Sequence, residues 1–598
     1  FYVKEYLENK YWSEILEKEW LKIYTTIDPN LQNKAEELVK NQAASNLSKF
    51  DADNAALVSI DNASWDILAM VWSADYFDTE IDWNVNVVTS KRQPWSSFKP
   101  LVYALAIDKN QIWPHTPIYD LPMTFPWNYE PQNYNWKFSW KMSIMTALNH
   151  SRNIPAIQAY FLAWEQKEII NFTKNLWIKS LNENFYYWAP LALWTWEVKP
   201  LEMVQAYSVF ANMWNKVEIN PILKIYDSKW LLIEEKKKTY WTRVMDEKVA
   251  YIMNYILSAT YSRPDEYWNA NLSLVDRQAW AKTWTSNKTY VVNWKKQLFP
   301  WDLWTVWYTP QITTVVWAWN TSWKAIKTNW DGLNWAAPIW KQFMEYAHKW
   351  KEKVTWKKPD NLQYVNISTI SWLLAPEWFD KNFVVSSLFK NVPTAYDNSL
   401  KPIEVDAMCN WKVTSSTPPW AIKRWYYVAL HSIDPSNPTW EAAVQNWVSE
   451  WWAEKLFWDI PNIITNYKDE ECQRNENLVN SADIQISSNI SEWETFINWY
   501  NYIEVTYKSA NPLRSIQVLL WDNLIQEINI ENQKSWTYKW SINIPSWYYW
   551  ANSITIRAVD TVYMSSEETK NIKIVQKDTI APQVIFTNPE NWKIWIYN

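Results

Sequence analysis

Residues 279–290 read AWAKTWTSNKTY. Taken alone, the run is a polar edge strand facing solvent. The residue that does not fit is Trp284, between Thr283 and Thr285. A strand that lets a second backbone lie against it needs a position with no side chain, and glycine supplies that. An indole there would fill the space.

Composition turns this local misfit into a general one. The chain has 598 residues with 52 Trp and 1 Gly, whereas glycine ordinarily makes up roughly 7% of a protein. The Trp residues stand where glycine belongs, after polar turn residues in DNASWD, DSKW, ANMWNK and NPENW, places that call for a positive φ. The expectation is that most of these Trp are glycines, encoded by UGA in a lineage that decodes it so and rendered as Trp by another table. The rival reading is a Trp-rich surface that stacks on sugars. It must explain how a chain of this length turns its corners with one glycine.

Other bounds are plainer. The length implies two to four domains. Net charge −6 and a pI near 5.6 give no reason to expect nucleic acid. Cys409 and Cys472 show no metal spacing; one bridge between them and two buried thiols are both open. His115, His150, His348 and His431 form no ligand pattern, so neither metal nor cofactor is expected. No run of 18 apolar residues suggests a membrane span. The chain begins at Phe1 with no signal peptide ahead of it and reads as a piece of a longer protein.

Working outward, residues 1–22 are charged and helical in flavour. A helix start follows in TTIDPNLQNKAEELV, with Asp28 as N-cap, Pro29 in the first turn, and Leu31, Ala35 and Leu38 on one face. AALVSIDNASWDILAMV reads as a hairpin turning at 62–65. Helices dominate from about 96 to 260. TVWYTPQITTVVWAWN is strand-rich, and AAPIWKQFMEYAHK forms a last helix. EEKKKTYW reads as a solvated loop. Residues 360–475 are rich in Pro, Asn and Ser and carry no strong periodic signal. Alternation returns near 480: in NSITIRAVD, Ile554, Ile556 and Ala558 face one way, and Ser553, Thr555 and Arg557 the other. SIQVLLWDNLIQEINI reads as two strands about a Trp-Asp-Asn turn. Several such strands in about 100 residues suggest an immunoglobulin-like sandwich.

Three short motifs carry chemistry. In RQPWSSFKPLVYALAID, Ser96 and Lys99 are three apart and share one face if helical. Pro100 is tolerated only in a helix's first turn, which places the helix start near Ser96; that end favours negative charge. Alone, this is equally a capping serine and a surface lysine. HSRNIPAIQ contains Ser151 and Asn153, by themselves a turn before a helix. With glycine at 284, AKTWT becomes Lys-Thr-Gly-Thr over 282–285. The order Ser-x-x-Lys, Ser-x-Asn, Lys-Thr-Gly-Thr, with gaps of 55 and 131 residues, is far more specific than any member of the set.

This constellation resembles that of penicillin-binding proteins and several β-lactamases. TTIDPNLQ, ILAMVW, RQPWSSFKP, YEPQNYNWKFSW, ALNHSRNIPA, LALWTWEVKPLEMVQAYSVFAN and DLWTVWYTPQITTVVWAWN resemble the transpeptidase domain of class A penicillin-binding proteins, with Trp for Gly, over about residues 1–348. Trp304, Trp317 and Trp340 stand where that family has genuine Trp. The resemblance implies an α+β fold, an antiparallel sheet flanked by helices. It implies D,D-transpeptidation of peptidoglycan stem peptides ending in D-Ala-D-Ala, with β-lactams as inhibitors. Ser96 would be the nucleophile, Lys99 its base, Ser151 a proton relay, and Asn153 a holder of the substrate amide. Lys282, counted with the catalytic set, and Thr285 would bind the terminal carboxylate, Thr283 and Trp284 would be substrate-binding positions of the same strand, and the N–H groups of Ser96 and Thr285 would form the oxyanion hole.

The expected organisation is a linker over 1–22, a transpeptidase domain over 23–350, an extension over 351–478, a sandwich over 479–577 and the start of another such unit over 578–598. By analogy the parent would carry an upstream glycosyltransferase domain and membrane anchor, act with other cell-wall synthesis proteins, and work on the outer face of the bacterial membrane or in the wall. The alternatives are a D,D-carboxypeptidase or β-lactamase-like hydrolase, and a non-enzymatic, carbohydrate-binding adhesin.

Overall fold

The helix start at Asp28 shows how closely local chemistry sets this chain. Asp28 Oδ1 accepts from the N–H groups of Asn30 and Leu31 at 2.9 and 3.1 Å, and the helix runs Pro29–Phe50 with Leu31, Ala35, Leu38 and Val39 buried. In the computed structural model the described residues are 2–11, 20–50, 52–77, 85–193, 196–213, 215–216, 218–237, 241–264, 274, 277–292, 295–321, 335–379, 381–406, 411–414, 417, 422–450, 463–464, 484–497, 500–521, 523–530, 533–545, 548, 551–561 and 565–575, with backbone alone at 281, 283–292, 295–302, 411 and 463. Cys409 and Cys472 lie outside them, as does 578–598.

The helix covers a five-stranded antiparallel sheet, whose order is Trp280–Val292, Lys295–Tyr308, Ile312–Trp319, Asn54–Asp61, Ile67–Val71. Ile312–Trp319 is buried along its whole length because both faces are covered. Ile312, Val316 and Ala318 join Leu57, Ala69 and Trp307 beneath Pro29–Phe50 and the terminal helix Ala337–His348. The helix Pro200–Ala211 packs against the strands too. Trp280–Val292 forms one rim of this sheet.

The chain divides into two compact units. One comprises residues 1–398 and 430–446, the other 399–429 and 447–598. In the first, Tyr2–Tyr11 packs Leu7 against Ile222 and Ile225. EEKKKTYW is only partly a loop: Glu234 and Glu235 end the strand Leu232–Glu235, and Lys236 pairs with Asp66. The stretch from 360, which carries no periodic signal, nevertheless holds the antiparallel pair Gln363–Ser368 and Val384–Phe389. Only the ends of these strands are buried, so alternation never develops.

In the second unit, Ile484–Ser488, Tyr500–Ser509 and Ser535–Asn543 make one sheet; Glu494–Ile497, Ser565–Val575, Ser553–Asp560, Leu513–Leu520 and Asn523–Asn529 make another. Residues from both, including Ile503, Val505, Ile516, Val518, Ile554, Ile556 and Ala558, share one core. The C-terminal region is all-β, with the expected face of Ser553–Asp560 turned inward. No helix among the described residues is long and apolar enough to cross a membrane.

The backbone singles out the tryptophans. Among the described residues, 17 non-glycine residues have positive φ, and twelve are Trp: 65, 95, 127, 136, 140, 164, 177, 188, 230, 372, 493 and 521. Left-handed backbone costs an L-residue roughly 1–2 kcal/mol, so twelve such positions would cost about 12–24 kcal/mol, as much as or more than a domain's whole stability of ~5–15 kcal/mol. Trp65 closes the first hairpin at φ 54 with its indole fully buried and its N–H unpartnered. By contrast Trp304, Trp317 and Trp340 are buried and absent from the positive-φ set.

Candidate active site

The nucleophile candidate sits in a turn rather than in a helix. Trp95–Ser97 is a 3-10 turn, and the α-helix begins at Lys99 with Pro100 in its first turn. Ser96 therefore precedes the helix that carries Lys99, because Pro100 cannot lie deeper inside it. Two braces hold the turn. Arg92 and Val198 exchange backbone hydrogen bonds, both 2.8 Å, and Tyr207, on Pro200–Ala211, donates its hydroxyl to Ser97 O at 2.6 Å. Trp95 takes φ 46 immediately before Ser96, which is half-buried.

The second motif follows from a hairpin. Pro117–Asp120 pairs with Trp140–Ser143, and Ser143 caps Ile144–Asn149 by accepting from Thr146 N–H. That helix is tied down by Asn149, whose Nδ2 donates to Ile256 O at 2.9 Å and Ser262 Oγ at 2.5 Å. Ser151 then turns left-handed at φ 56 before Asn153–Leu162 begins. The turn points carbonyls at one amine: Lys99 Nζ donates to Ser151 O at 2.6 Å, Arg152 O at 3.2 Å and Asn153 Oδ1 at 2.7 Å. None of these partners is Ser96 Oγ. Catalytic hydrogen bonds often tighten only once substrate is bound.

The third motif lies on the outer strand. Lys282 pairs with Val306, Thr283 with Thr305, Trp284 with Trp304 and Thr285 with Leu303, and the register slips between Thr285 and Asn287. The strand runs beside the Trp95–Ser97 turn. Only the backbone of 283–285 is described. Lys282 is buried, and burial, then the charge of Arg263, brings its pKa down to about 7. Lys99 has no exposed surface. Burial first, then Lys282 and Arg152, hold its pKa well below the usual lysine range, with Asp120 opposing. The three oxygens around Nζ match the three N–H groups of an ammonium, and the lowered pKa makes its proton easy to lose, after which the amine can act as a base. The structure thus joins Lys99, Ser151 and Asn153 by hydrogen bonds and adds Lys282 through its charge.

Asp120 and Asn133 are the residues that the motifs missed. Asp120 is fully buried and Asn133 nearly so; Asn133 Nδ2 donates to both carboxylate oxygens, at 2.8 and 3.0 Å. Asn133 lies within YEPQNYNWKFSW, but its partners are 13 positions upstream and 20 downstream, beyond any local pattern. Elsewhere, His115 contacts Ser387, His348 contacts Thr309, and His431 contacts Glu441. Among the described residues no three His, Cys, Asp or Glu form a metal site.

Residues 55–345 match the family described as the penicillin binding protein transpeptidase domain. Penicillin-binding protein 2D of Bacillus subtilis (strain 168) is 27% identical over 362 residues, covering 59% of this chain and 49% of that protein. Penicillin-binding protein 1A of Neisseria gonorrhoeae is 27% identical over 322 residues, covering 51% of this chain and 37% of that one. The chain thus spans half or less of these curated relatives. Among solved structures, penicillin-binding protein 1A from Haemophilus influenzae superposes with a TM-score of 0.55 at 18% identity, covering 66% of this chain and 76% of its own. PonA1 from Mycobacterium tuberculosis gives 0.51 at 21%, covering 60% and 93%, and has also been solved in complex with penicillin V. At these identities the structural likeness is one of fold.

Proposed function

From the premise that residues 55–345 belong to the penicillin-binding protein transpeptidase domain family, we propose that this chain is a serine D,D-transpeptidase of peptidoglycan. Ser96 Oγ attacks the carbonyl between the last two D-alanines of a stem peptide, and Lys99 takes its proton. The new C–O bond forms as the C–N bond breaks, D-alanine leaves with a proton relayed through Ser151, and an amine of a neighbouring stem then releases Ser96. Asn153 holds Lys99 through Oδ1 and gives one N–H to Gln132 O at 2.7 Å, leaving the other for a substrate carbonyl. Lys282, with Thr283 and Thr285, receives the terminal carboxylate. The N–H groups of Ser96 and Thr285 stabilise the oxyanion.

The observation that carries this reading is the Lys99 amine, buried without exposed surface and held by Ser151, Arg152 and Asn153. Glycine at 95 and 284 completes it. Trp95 stands at φ 46, and position 284 lies on the rim strand where substrate backbone would pair. Five further parts belong to the proposal, the first three by the family's architecture and the last two by composition and strand alternation. They are an upstream glycosyltransferase domain and anchor in the parent, action outside the cytoplasmic membrane, a transpeptidase domain over 23–350, an extension over 351–478, and an immunoglobulin-like fold for 479–577.

Fluorescent penicillin tests the acyl-enzyme. The chain decoded with glycine should be labelled, and Ser96→Ala should not be. Failure of the wild type to label argues for the non-enzymatic reading. Cross-linked stem dimers then mark a transpeptidase, whereas free D-alanine without dimers marks a carboxypeptidase.

A further inference from the structure

We infer that Asp120 is a positioning residue of this site: a buried carboxylate that ties the Ser151–Asn153 loop in place and sets the charge balance around the Lys99 amine. The inference rests on Lys99 being the base for Ser96.

The tie is a short chain of bonds. Asp120 accepts from Asn133 Nδ2 with both oxygens and from Ser139 N–H at 2.8 Å, and Arg152 Nε stands 3.7 Å from Oδ2. Asn133 Oδ1 in turn accepts from Asn153 N–H at 2.8 Å, and Asn153 Oδ1 accepts from Lys99. Arg152 Nη1 reaches Asn135 Oδ1 at 3.2 Å and Lys137 O at 3.3 Å. Asp120 thus holds both flanks of the loop that faces Lys99. Burial pushes the Asp120 pKa up, and the bonds from Asn133 and Ser139 with the charges of Arg152 and Lys99 oppose that rise, the pairing that a buried carboxylate needs.

The surroundings show what the charge does. Of the charged groups acting on Lys99, Lys282 and Arg152 are cationic and Asp120 alone is anionic. Arg263 stands behind Lys282. Tyr103, on the motif helix, faces Asp120 and is kept protonated by burial and by that carboxylate. Tyr160 and Tyr255, on neighbouring helices, are likewise held protonated by burial. At the helix's far end Asp108 pairs with Lys390, and Lys109 with Glu168. Asp120 therefore holds the Lys99 pKa up, towards the basicity needed to take the serine proton, while Lys282 and Arg152 hold it down.

The test is the acylation rate of the full chain by fluorescent penicillin against pH. The rate rises as Lys99 loses its proton, so the midpoint of the acid limb follows its pKa. Asp120→Asn removes the anion and should move this limb to lower pH, by roughly one unit or more. Arg152→Gln removes a cation and should move it to higher pH. A merely structural role would lower the melting temperature and the rate at every pH with the midpoint unmoved, which would overturn the inference. If Asp120→Asn does not fold, Arg152→Gln decides alone, an unmoved limb counting against. A wild type that does not label sinks the reading of Ser96 and Lys99 instead, and this inference falls with it.

Discussion

At the residue scale, two lysines and a set of tryptophans make the sharpest claims. Lys99 works only when neutral, and Lys282 binds a carboxylate only when charged. Burial first, and then the charge of Lys282, hold the Lys99 pKa down. With kcat/KM reporting the free enzyme, its profile should rise through the lowered Lys99 pKa and fall through about 7, where Lys282 titrates. A bound carboxylate raises the pKa of Lys282, so the alkaline limb of kcat should lie at higher pH. Coincident alkaline limbs would remove Lys282 as the carboxylate anchor. The tryptophans are tested by weighing. If the twelve positive-φ tryptophans are glycines, the span 1–598 taken from its source organism is lighter than the 71.9 kDa of the printed letters, and peptides spanning 65, 95 and 127 carry glycine. A mass equal to the printed one would end that reading, and with it the open rim at 284.

At the element scale, the helix Pro200–Ala211 packs on the sheet and also holds the nucleophile's turn through Tyr207. Tyr207→Phe keeps the ring in place and leaves Ser97 O without its 2.6 Å donor. A buried carbonyl left unpaired costs about 1–3 kcal/mol, so calorimetry should show a loss in that range. Penicillin acylation should slow as the turn loosens; wild-type stability with wild-type acylation would show that the turn holds itself. Elements differ in how far they can be read beforehand. The Pro29–Phe50 helix was legible because its cap and apolar face are local, and the hairpin at 62–65 became legible once Trp65 was taken as glycine. The three motifs were legible as a set because their order and spacing are specific. Asp120 was not, since its meaning lies in partners contributed by Asn133, Ser139 and Arg152. The pair Gln363–Ser368 and Val384–Phe389 was missed because partial burial leaves no alternation to read.

At the scale of the whole molecule, the residues that hold the candidate site fall within 88–308. Leu201 N–H bonds Val88 O, Arg92 bridges Val198, Asn149 reaches Ile256 and Ser262, and Lys282 lies on a strand paired with Lys295–Tyr308. The all-β region has a separate core, built from Ile484 to Ile574, that shares no residue with the core under the five-stranded sheet. Each should therefore survive without the other. A chain ending at residue 478 should still label at Ser96 at the full-length rate, and an isolated 479–577 fragment should show β-type circular dichroism and unfold cooperatively. Two sheets closing on a common apolar layer meet the usual condition for independent stability. Loss of labelling on truncation, with the remaining chain folded by circular dichroism, would mean that residues beyond 478 reach the acylation step, and the site would then be larger than the 88–308 framework allows.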